Sequence, residues 1–124
     1  MISTSAYGHE AGKPLKCLSI AVTLEKEQFT DEQGNRAYKV GCRIGGGIDQ
    51  DPSKAPYKYP DMGIYITQVE PNSPASKAGL HQHDKVLEVN GHDFTMLTHD
   101  KAVKYIKKYP VLNMLIARRE IPPI

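Results

Sequence analysis

The chain has 124 residues, of which 40% are hydrophobic and 24% charged, and its formal net charge at pH 7 is +2. This length suits one domain with its own core, and the composition is that of an ordinary globular domain. The near-neutral charge gives no reason to expect nucleic acid as a partner. No apolar run approaches the roughly 18 residues that cross a bilayer, so direct membrane insertion is not expected.

The N-terminal segment predicts a tail and an intracellular protein. Residues 1–14 are small and polar and end in Gly-Lys-Pro, so we expect a loose tail before the domain. They lack the basic start and the apolar stretch of a signal peptide, which favours a cytoplasmic location, with nuclear or inner plasma-membrane pools reached through partners. The two cysteines, Cys17 and Cys42, fit a reducing compartment better than a disulfide framework.

Three strands are predicted in the first half of the chain. Alternating apolar residues predict the first strand, and they are Leu18, Ile20, Val22 and Leu24. A polar segment at 30–36 interrupts the pattern, and a second strand is predicted over 37–44, before the glycine triplet at 45–47. The segment 49–61 contains three prolines and predicts a long loop, and a third strand follows over 63–69.

Turn and capping residues organise the next part of the chain. Ser73, Pro74 and Gly79 predict a complete short helix, because they supply a capping side chain, a proline at the first helical position and a left-handed C-terminal residue. A strand over 86–89 ends at Asn90-Gly91, a dipeptide that favours a tight reversal.

A longer helix is predicted from a Thr98 cap to about Lys108, followed by a last strand. One face of this helix carries His99, Ala102, Val103 and Ile106. Alternating apolar residues mark the strand, and they are Leu112, Met114 and Ile116. Strands outnumber helices without alternating strictly with them, so we expect the α+β class. The expected architecture is a small, partly open antiparallel barrel of five to six strands with two helices over its open sides.

Three motifs in this order resemble the PDZ domain family. They are Pro-Ala-Ser-Lys-Ala-Gly-Leu at 74–80, Asp-Lys-Val-Leu-Glu-Val-Asn-Gly at 84–91 and Thr-His-Asp-Lys-Ala-Val at 98–103. The segment 44–53 is similar to that of a narrower group within the family, whose members hold a single PDZ domain.

The resemblance implies a domain over residues 15–119, with short tails at 1–14 and 120–124. It implies a protein-interaction module with no enzymatic activity and no cofactor. In this family a partner's C-terminal tail of the form Ser/Thr-x-hydrophobic lies between a strand and a helix and completes the sheet. The implied partners are membrane receptors, channels or signalling proteins. A monomer with one such domain would compete with multidomain scaffolds for these tails and so regulate their complexes.

The resemblance also assigns the groove residue by residue. The loop that binds the terminal carboxylate consists of Lys39, Val40, Gly41 and Cys42. The strand that pairs with the ligand contains Cys42, Arg43, Ile44 and Gly45. The pocket for the last ligand residue is formed by Val40, Cys42, Ile44, Val103 and Ile106. His99 would bond a Ser or Thr hydroxyl two residues upstream, and its place at a helix N-terminus favours a neutral ring.

Three positions depart from the family pattern. Lys39 replaces the first glycine of the loop and would place a cation near the ligand carboxylate. Cys42 replaces a bulky aromatic residue, so we expect a roomier pocket, and the preferred last residue stays open among Val, Leu, Ile and something larger. His83 stands where the family has glycine, at a position that could require positive φ. Within the 48–61 loop, Tyr57 and Tyr59 either contact upstream ligand residues or belong to a simple connector.

Other interpretations of the same residues are weaker. Cys42 and His99 resemble a nucleophile and base, but Cys42 lies in a predicted strand and no third group orients the histidine. The glycine triplet lacks the Gly-Lys-Ser/Thr of a phosphate loop. Four turn residues lack the ligand spacing of a metal site, namely His81, His83, His92 and Asp84. A basic cluster is expected to be a solvated rim, and its members are Lys104, Lys107, Lys108, Arg118 and Arg119. An adaptor that binds internal motifs or dimerises through an open strand remains the alternative function.

Overall fold

The computed structural model describes residues 19–54 and 62–118. Within these ranges the chain forms eight strands and two α-helices. The strands are β1 (Ile20–Glu25), β2 (Glu27–Thr30), β3 (Arg36–Lys39), β4 (Cys42–Gly46), β5 (Ile64–Val69), β6 (Lys85–Val89), β7 (His92–Asp93) and β8 (Val111–Ala117). The helices are α1 (Pro74–Ala78) and α2 (His99–Lys108), and Pro52–Lys54 forms one 3₁₀ turn.

Six of these strands form one antiparallel sheet in the order β1-β8-β6-β5-β4, with β7 paired to β6. The other two, β2 and β3, form a separate hairpin. The main sheet path therefore ends at β1 on one side and at β4 on the other. The expected α+β class, with a small antiparallel sheet and two helices, is confirmed.

The continuous strand predicted over 37–44 is wrong. The chain first forms β3 in the hairpin, leaves the strand conformation at Val40 and Gly41, and then enters the main sheet as β4. Gly41 has φ of 87°, a left-handed value that an extended strand cannot contain. The strand was predicted from its alternating apolar residues, a pattern that carries no sign of this break.

The caps predicted for α1 are confirmed. The Ser73 hydroxyl accepts a hydrogen bond from the Ser76 N–H at 3.2 Å, and Pro74 occupies the first helical position. Gly79 ends the helix in the left-handed conformation with φ of 93°. Its N–H donates to the Ser76 carbonyl, and the Leu80 N–H donates to the Ala75 carbonyl, so the last helical carbonyls are satisfied.

Three residues with positive φ shape the loops around β6. Asn90 and Gly91 have φ of 47° and 84°, and they join Val89 to His92 in a two-residue hairpin, as predicted. The Asn90 side chain also accepts from the Asn113 N–H at 2.8 Å, which fixes the turn against β8. His83 has φ of 73°, so the expected left-handed position is confirmed although no glycine fills it.

The core lies between the main sheet and the helices. α2 begins at its predicted Thr98 cap, whose hydroxyl accepts from the Lys101 N–H, and it contributes the buried Ala102. Alternate residues of β8 are buried as predicted, and the core side chains include Val22, Leu24, Ile64, Ile66, Leu80, Val86, Val89, Phe94, Leu112, Met114 and Ile116. Burial of such side chains stabilises the fold by roughly 1.5–3 kcal/mol each.

A buried ion pair joins the end of β8 to the turn before β6. The Asp84 side chain is 1% exposed and accepts from Arg118 at both oxygens, with each N–O distance 2.9 Å. Asp84 also accepts from the His81 N–H at 2.8 Å, and Arg118 donates to the Gly79 carbonyl. Arg118 thus points inward, and its predicted membership of the solvated basic rim is wrong.

No helix within the described residues is long and apolar enough to cross a bilayer.

Some of the expectations from the sequence concern residues that lie outside the described ranges. These are the tails at 1–14 and 120–124 and the residues Cys17, Leu18, Tyr57, Tyr59 and Arg119.

We expect Asp84→Ala to lower the free energy of unfolding by about 3–5 kcal/mol, because it leaves the largely buried Arg118 charge without its carboxylate partner. Arg118→Lys keeps the charge but loses the two-point contact, so its loss should be smaller. Urea unfolding followed by circular dichroism measures both, with the exposed Glu32→Gln as a control that changes nothing. A loss below about 1 kcal/mol for Asp84→Ala would contradict the assigned role.

Candidate functional site

An open strand edge lies beside a helix at one end of the main sheet. β4 ends the strand path and pairs with β5 alone within residues 19–54 and 62–118. α2 contacts β4, so strand and helix form the two walls of a groove. The main-chain groups of an open edge can pair with an added strand, which makes this groove the candidate site.

The N-terminus of α2 is fixed to the loop that follows β4. The His99 N–H donates to the Asp49 carboxylate at 3.0 Å, and the Ile48 N–H donates to the Leu97 carbonyl at 2.8 Å. The His99 N–H bond holds the pKa of the Asp49 carboxyl below its ordinary value. Gly47 has φ of 124°, and a Cβ there would lie 2.5 Å from the His99 nitrogen. The strand and the helix therefore meet closely at this end of the groove.

The other end of α2 is held by Lys26. Its ammonium group donates to the Ile106 carbonyl, one of the last carbonyls of the helix. The Lys26 N–H donates to the Pro110 carbonyl at 3.1 Å. Partial burial lowers the pKa of the Lys26 ammonium below its ordinary value. Both ends of the helical wall are thus fixed by hydrogen bonds.

The ring of His99 is oriented by a carbonyl of β4. Its Nδ1 lies 2.9 Å from the Gly46 carbonyl oxygen. Because a carbonyl can only accept, Nδ1 must carry the proton of this hydrogen bond. In the neutral ring Nε2 then has a free lone pair, which can accept from a hydroxyl group. The structure brings His99 to the groove, half-buried and with a fixed tautomer.

The carbonyls of Val40 and Gly41 are turned away from the groove. The Val40 carbonyl accepts from the Ala75 N–H at 2.9 Å, and the Gly41 carbonyl accepts from the Glu70 N–H at 2.8 Å. In a planar trans peptide the next N–H points opposite to the carbonyl, so the amides of Gly41 and Cys42 point toward the open side. Within the described residues, the Gly41 N–H donates to no acceptor. Converging amides of this kind form an anion-binding site.

Gly41 is required here for a reason that the sequence did not supply. In the structure a Cβ at Gly41 would lie 2.1 Å from the Ser73 Cβ, and the φ of 87° is itself left-handed. Glycine therefore lets this loop pack against the cap of α1.

Apolar residues line the middle of the groove. Val40, Cys42, Ile44 and Ile106 are half-buried and pack against the main core, and Val103 on α2 is half-buried as well. Arg43, between two of these strand residues, is exposed. The five predicted pocket residues are therefore partly accessible on the two elements that form the groove.

The Cys42 thiol has the properties of a packing group. Burial, and after it the nearby negative charge of Glu70, raise its pKa to about 11. At neutral pH it is therefore protonated, whereas a cysteine nucleophile needs a lowered pKa. The Nδ1 atom of His99 is engaged with the Gly46 carbonyl.

The turn residues that were considered and set aside as a metal site make separate contacts in the structure. Asp84 is bound to Arg118, and the His92 ring stacks on Tyr105 with centroids 4.1 Å apart. No group of three or more His, Cys, Asp or Glu side chains in residues 19–54 and 62–118 is arranged to hold a metal ion.

The basic side chains of α2 are exposed, and they are Lys101, Lys104, Lys107 and Lys108.

Three residues around the groove were not found from the sequence. Asp49 anchors the N-terminus of α2, Ser73 packs beneath Gly41, and Glu70 pairs with Lys39 at 3.4 Å. Each lies far along the chain from its partner, and no local spacing connects them. Only Ser73 had a signal, as the cap of α1.

Comparison with known proteins places the groove in a family context. The model of the PDZ domain family matches residues 28–117, which include β2 through β8. A curated relative, "Tax1-binding protein 3 homolog" of Caenorhabditis elegans, is 60% identical over 120 residues, covering 97% of each chain. "Tax1-binding protein 3" of Homo sapiens is 46% identical over 86 residues, covering 66% of this chain and 69% of that protein.

A solved structure agrees in fold. It is described as "crystal structure of TIP-1 wild type", has 40% sequence identity, and superposes with a TM-score of 0.67 over 82% of this chain and 89% of the other. The chain belongs to the PDZ domain family of protein-interaction modules.

Proposed function

We propose that this protein binds the free C-terminal tails of partner proteins by adding each tail as a strand to β4. The observation that carries the proposal is the loop at Val40 and Gly41, whose carbonyls are turned back, so that the amides of Gly41 and Cys42 face the end of an open strand edge. The C-terminus is the one point where the main chain of an extended peptide carries a carboxylate, and converging amides favour such a group.

The pocket next to these amides would receive the last side chain of the tail. Val40, Cys42 and Ile44 on the strand side and Val103 and Ile106 on α2 offer an apolar surface at the correct place for it. The small Cys42 side chain leaves more room than a large aromatic residue would. We therefore expect an aliphatic last residue, with Leu or Ile accepted as well as Val.

His99 would select the residue two positions upstream. With Nδ1 committed to Gly46, the neutral ring offers Nε2 as an acceptor to a Ser or Thr hydroxyl. This supports tails of the form Ser/Thr-x-hydrophobic as the preferred ligands.

We further propose that the protein acts by occupying tails of membrane receptors, channels or signalling proteins. The described residues contain one such groove, so a monomer would hold one tail and keep it from a multidomain scaffold. This role requires no chemistry, and neither the protonated Cys42 thiol nor His99 supports a catalytic one. An adaptor that dimerises through β4 would bind without regard to a terminal carboxylate, which separates the two functions experimentally.

A tail peptide and its C-terminal amide should differ in affinity by at least about tenfold, because the amides of the loop lose a charged acceptor. Isothermal titration of both forms of one peptide ending in Thr-Ala-Val measures this difference. Equal Kd values for the two forms would rule out capture of a chain terminus.

His99→Val should reduce the preference for Thr over Val two residues from the peptide end by about three- to tenfold, the value of one neutral hydrogen bond. Fluorescence anisotropy gives the Kd values of the two peptides, and the readout is their ratio. A general loss of binding changes both Kd values alike and leaves this ratio unchanged. Lys104→Gln, on the exposed side of the same helix, is the matched control and should keep the wild-type ratio. An unchanged ratio in His99→Val would remove His99 from its assigned role.

Alkylation of Cys42 by iodoacetamide at pH 7 should be at least about tenfold slower in the folded protein than in urea, because its raised pKa leaves little thiolate. The rate should rise with pH through pH 10. The Cys17→Ser variant isolates Cys42, and mass spectrometry follows the modification. Equal rates in folded and unfolded protein at pH 7 would contradict the raised pKa of Cys42, and a faster rate in the folded protein would show an activated thiol and reopen an enzymatic role.

A further inference from the structure

An ion pair lies at the mouth of the proposed carboxylate loop. Lys39, the first residue of this loop, contacts the Glu70 carboxylate with an N–O distance of 3.4 Å. The two side chains are 48% and 51% exposed, so solvent reaches both. Glu27 lies opposite Lys39 in the β2–β3 register, but the close contact is made with Glu70.

The main chain of Glu70 is fixed to the same loop. Its N–H donates to the Gly41 carbonyl at 2.8 Å, and its own carbonyl accepts from the Ser73 hydroxyl at 2.7 Å. Ser73 in turn packs beneath Gly41. The side chain of Glu70 therefore starts from a fixed point beside the loop and cannot move far from it.

The negative charge of Glu70 affects a group inside the groove. After burial, the Glu70 carboxylate is the second cause of the raised pKa of the Cys42 thiol, which means that it disfavours a negative charge at Cys42. Cys42 is the last residue of the carboxylate loop. A carboxylate that binds at the amides of this loop would meet the same repulsion.

We propose that Glu70 is an internal competitor of the ligand's terminal carboxylate, holding Lys39 in an ion pair that the ligand must replace. This inference rests on the proposed capture of C-terminal tails. In the free protein Lys39 pairs with Glu70, and in the complex it turns toward the incoming carboxylate. Glu70 thereby lowers the affinity for charged tails and reduces the difference between charged and uncharged peptide ends that Lys39 alone would give.

The exposure of the pair sets the size of the effect. An ion pair in contact with water contributes little, so its loss should change the affinity by about two- to fivefold. Salt should weaken the effect, because exposed charges are screened at high ionic strength. Glu70 thus changes the affinity for the peptide by a modest factor and is not required for binding.

The test compares Glu70→Gln with the wild type, using a fluorescent peptide ending in Thr-Ala-Val as free acid and as amide. Glu70→Gln should bind the acid about two- to fivefold more tightly and the amide with unchanged affinity. In a Lys39→Gln background the same substitution should lose most of this gain. Glu32→Gln removes the same charge in the β2–β3 turn, at the opposite end of the hairpin from Lys39, and should bind both peptides like the wild type.

Each contrary outcome has a distinct meaning. No gain in Glu70→Gln, or an equal gain for acid and amide, overturns the proposal. A full gain in the Lys39→Gln background overturns it as well, since Glu70 would then act without Lys39. Wild-type protein that binds acid and amide equally reveals instead a failure of the proposed function. Glu70→Ala should repeat the result of Glu70→Gln, and thermal unfolding verifies that each variant is folded.

Discussion

The direction of two peptide carbonyls determines which main-chain groups face the groove. Val40 and Gly41 each turn their carbonyl toward the α1 side, where the N–H groups of Ala75 and Glu70 hold them. Because a trans peptide is planar, this forces the following amides to the opposite side. The left-handed φ of Gly41 permits the turn, and the absence of a side chain lets Ser73 lie directly beneath it. Helix α1 and its cap thus help to fix the orientation of this loop.

The second wall depends on hydrogen bonds at both ends of α2. Asp49 and Gly46 hold the N-terminus through His99, and Lys26 holds the last turn. The distance between β4 and α2 is therefore fixed by contacts outside the apolar pocket. A groove of this kind is preorganised, so a tail that binds in it need not first order the protein.

The groove combines an apolar lining with charges at its edge. Burial keeps the Cys42 thiol neutral, so this position contributes packing surface and no charge. Lys39 and Glu70 stand at the entrance and are exposed to solvent. Exposed charges adjust affinity by modest factors, whereas main-chain hydrogen bonds and apolar contacts supply most of it.

The sequence alone determined the elements that local chemistry specifies. The caps Ser73 and Gly79, the turn at Asn90-Gly91 and the start of α2 at Thr98 each depend on residues a few positions apart, so spacing was enough to predict them. Alternation of apolar residues likewise predicted the buried face of β8. The same information failed at 37–44, because the break at Gly41 depends on a contact with Ser73, which is distant in the chain.

Only the tertiary structure decided which residues meet. The order of strands places β4 at an open edge of the sheet, and the five residues of β4 do not by themselves predict this edge position. The pairing of Lys39 with Glu70, the inward turn of Arg118 toward Asp84 and the proton position on His99 all join segments far apart in sequence. Local sequence patterns indicate which conformation a segment prefers. Long-range contacts arise from the packing of the whole chain, so only the folded structure shows which residues make them.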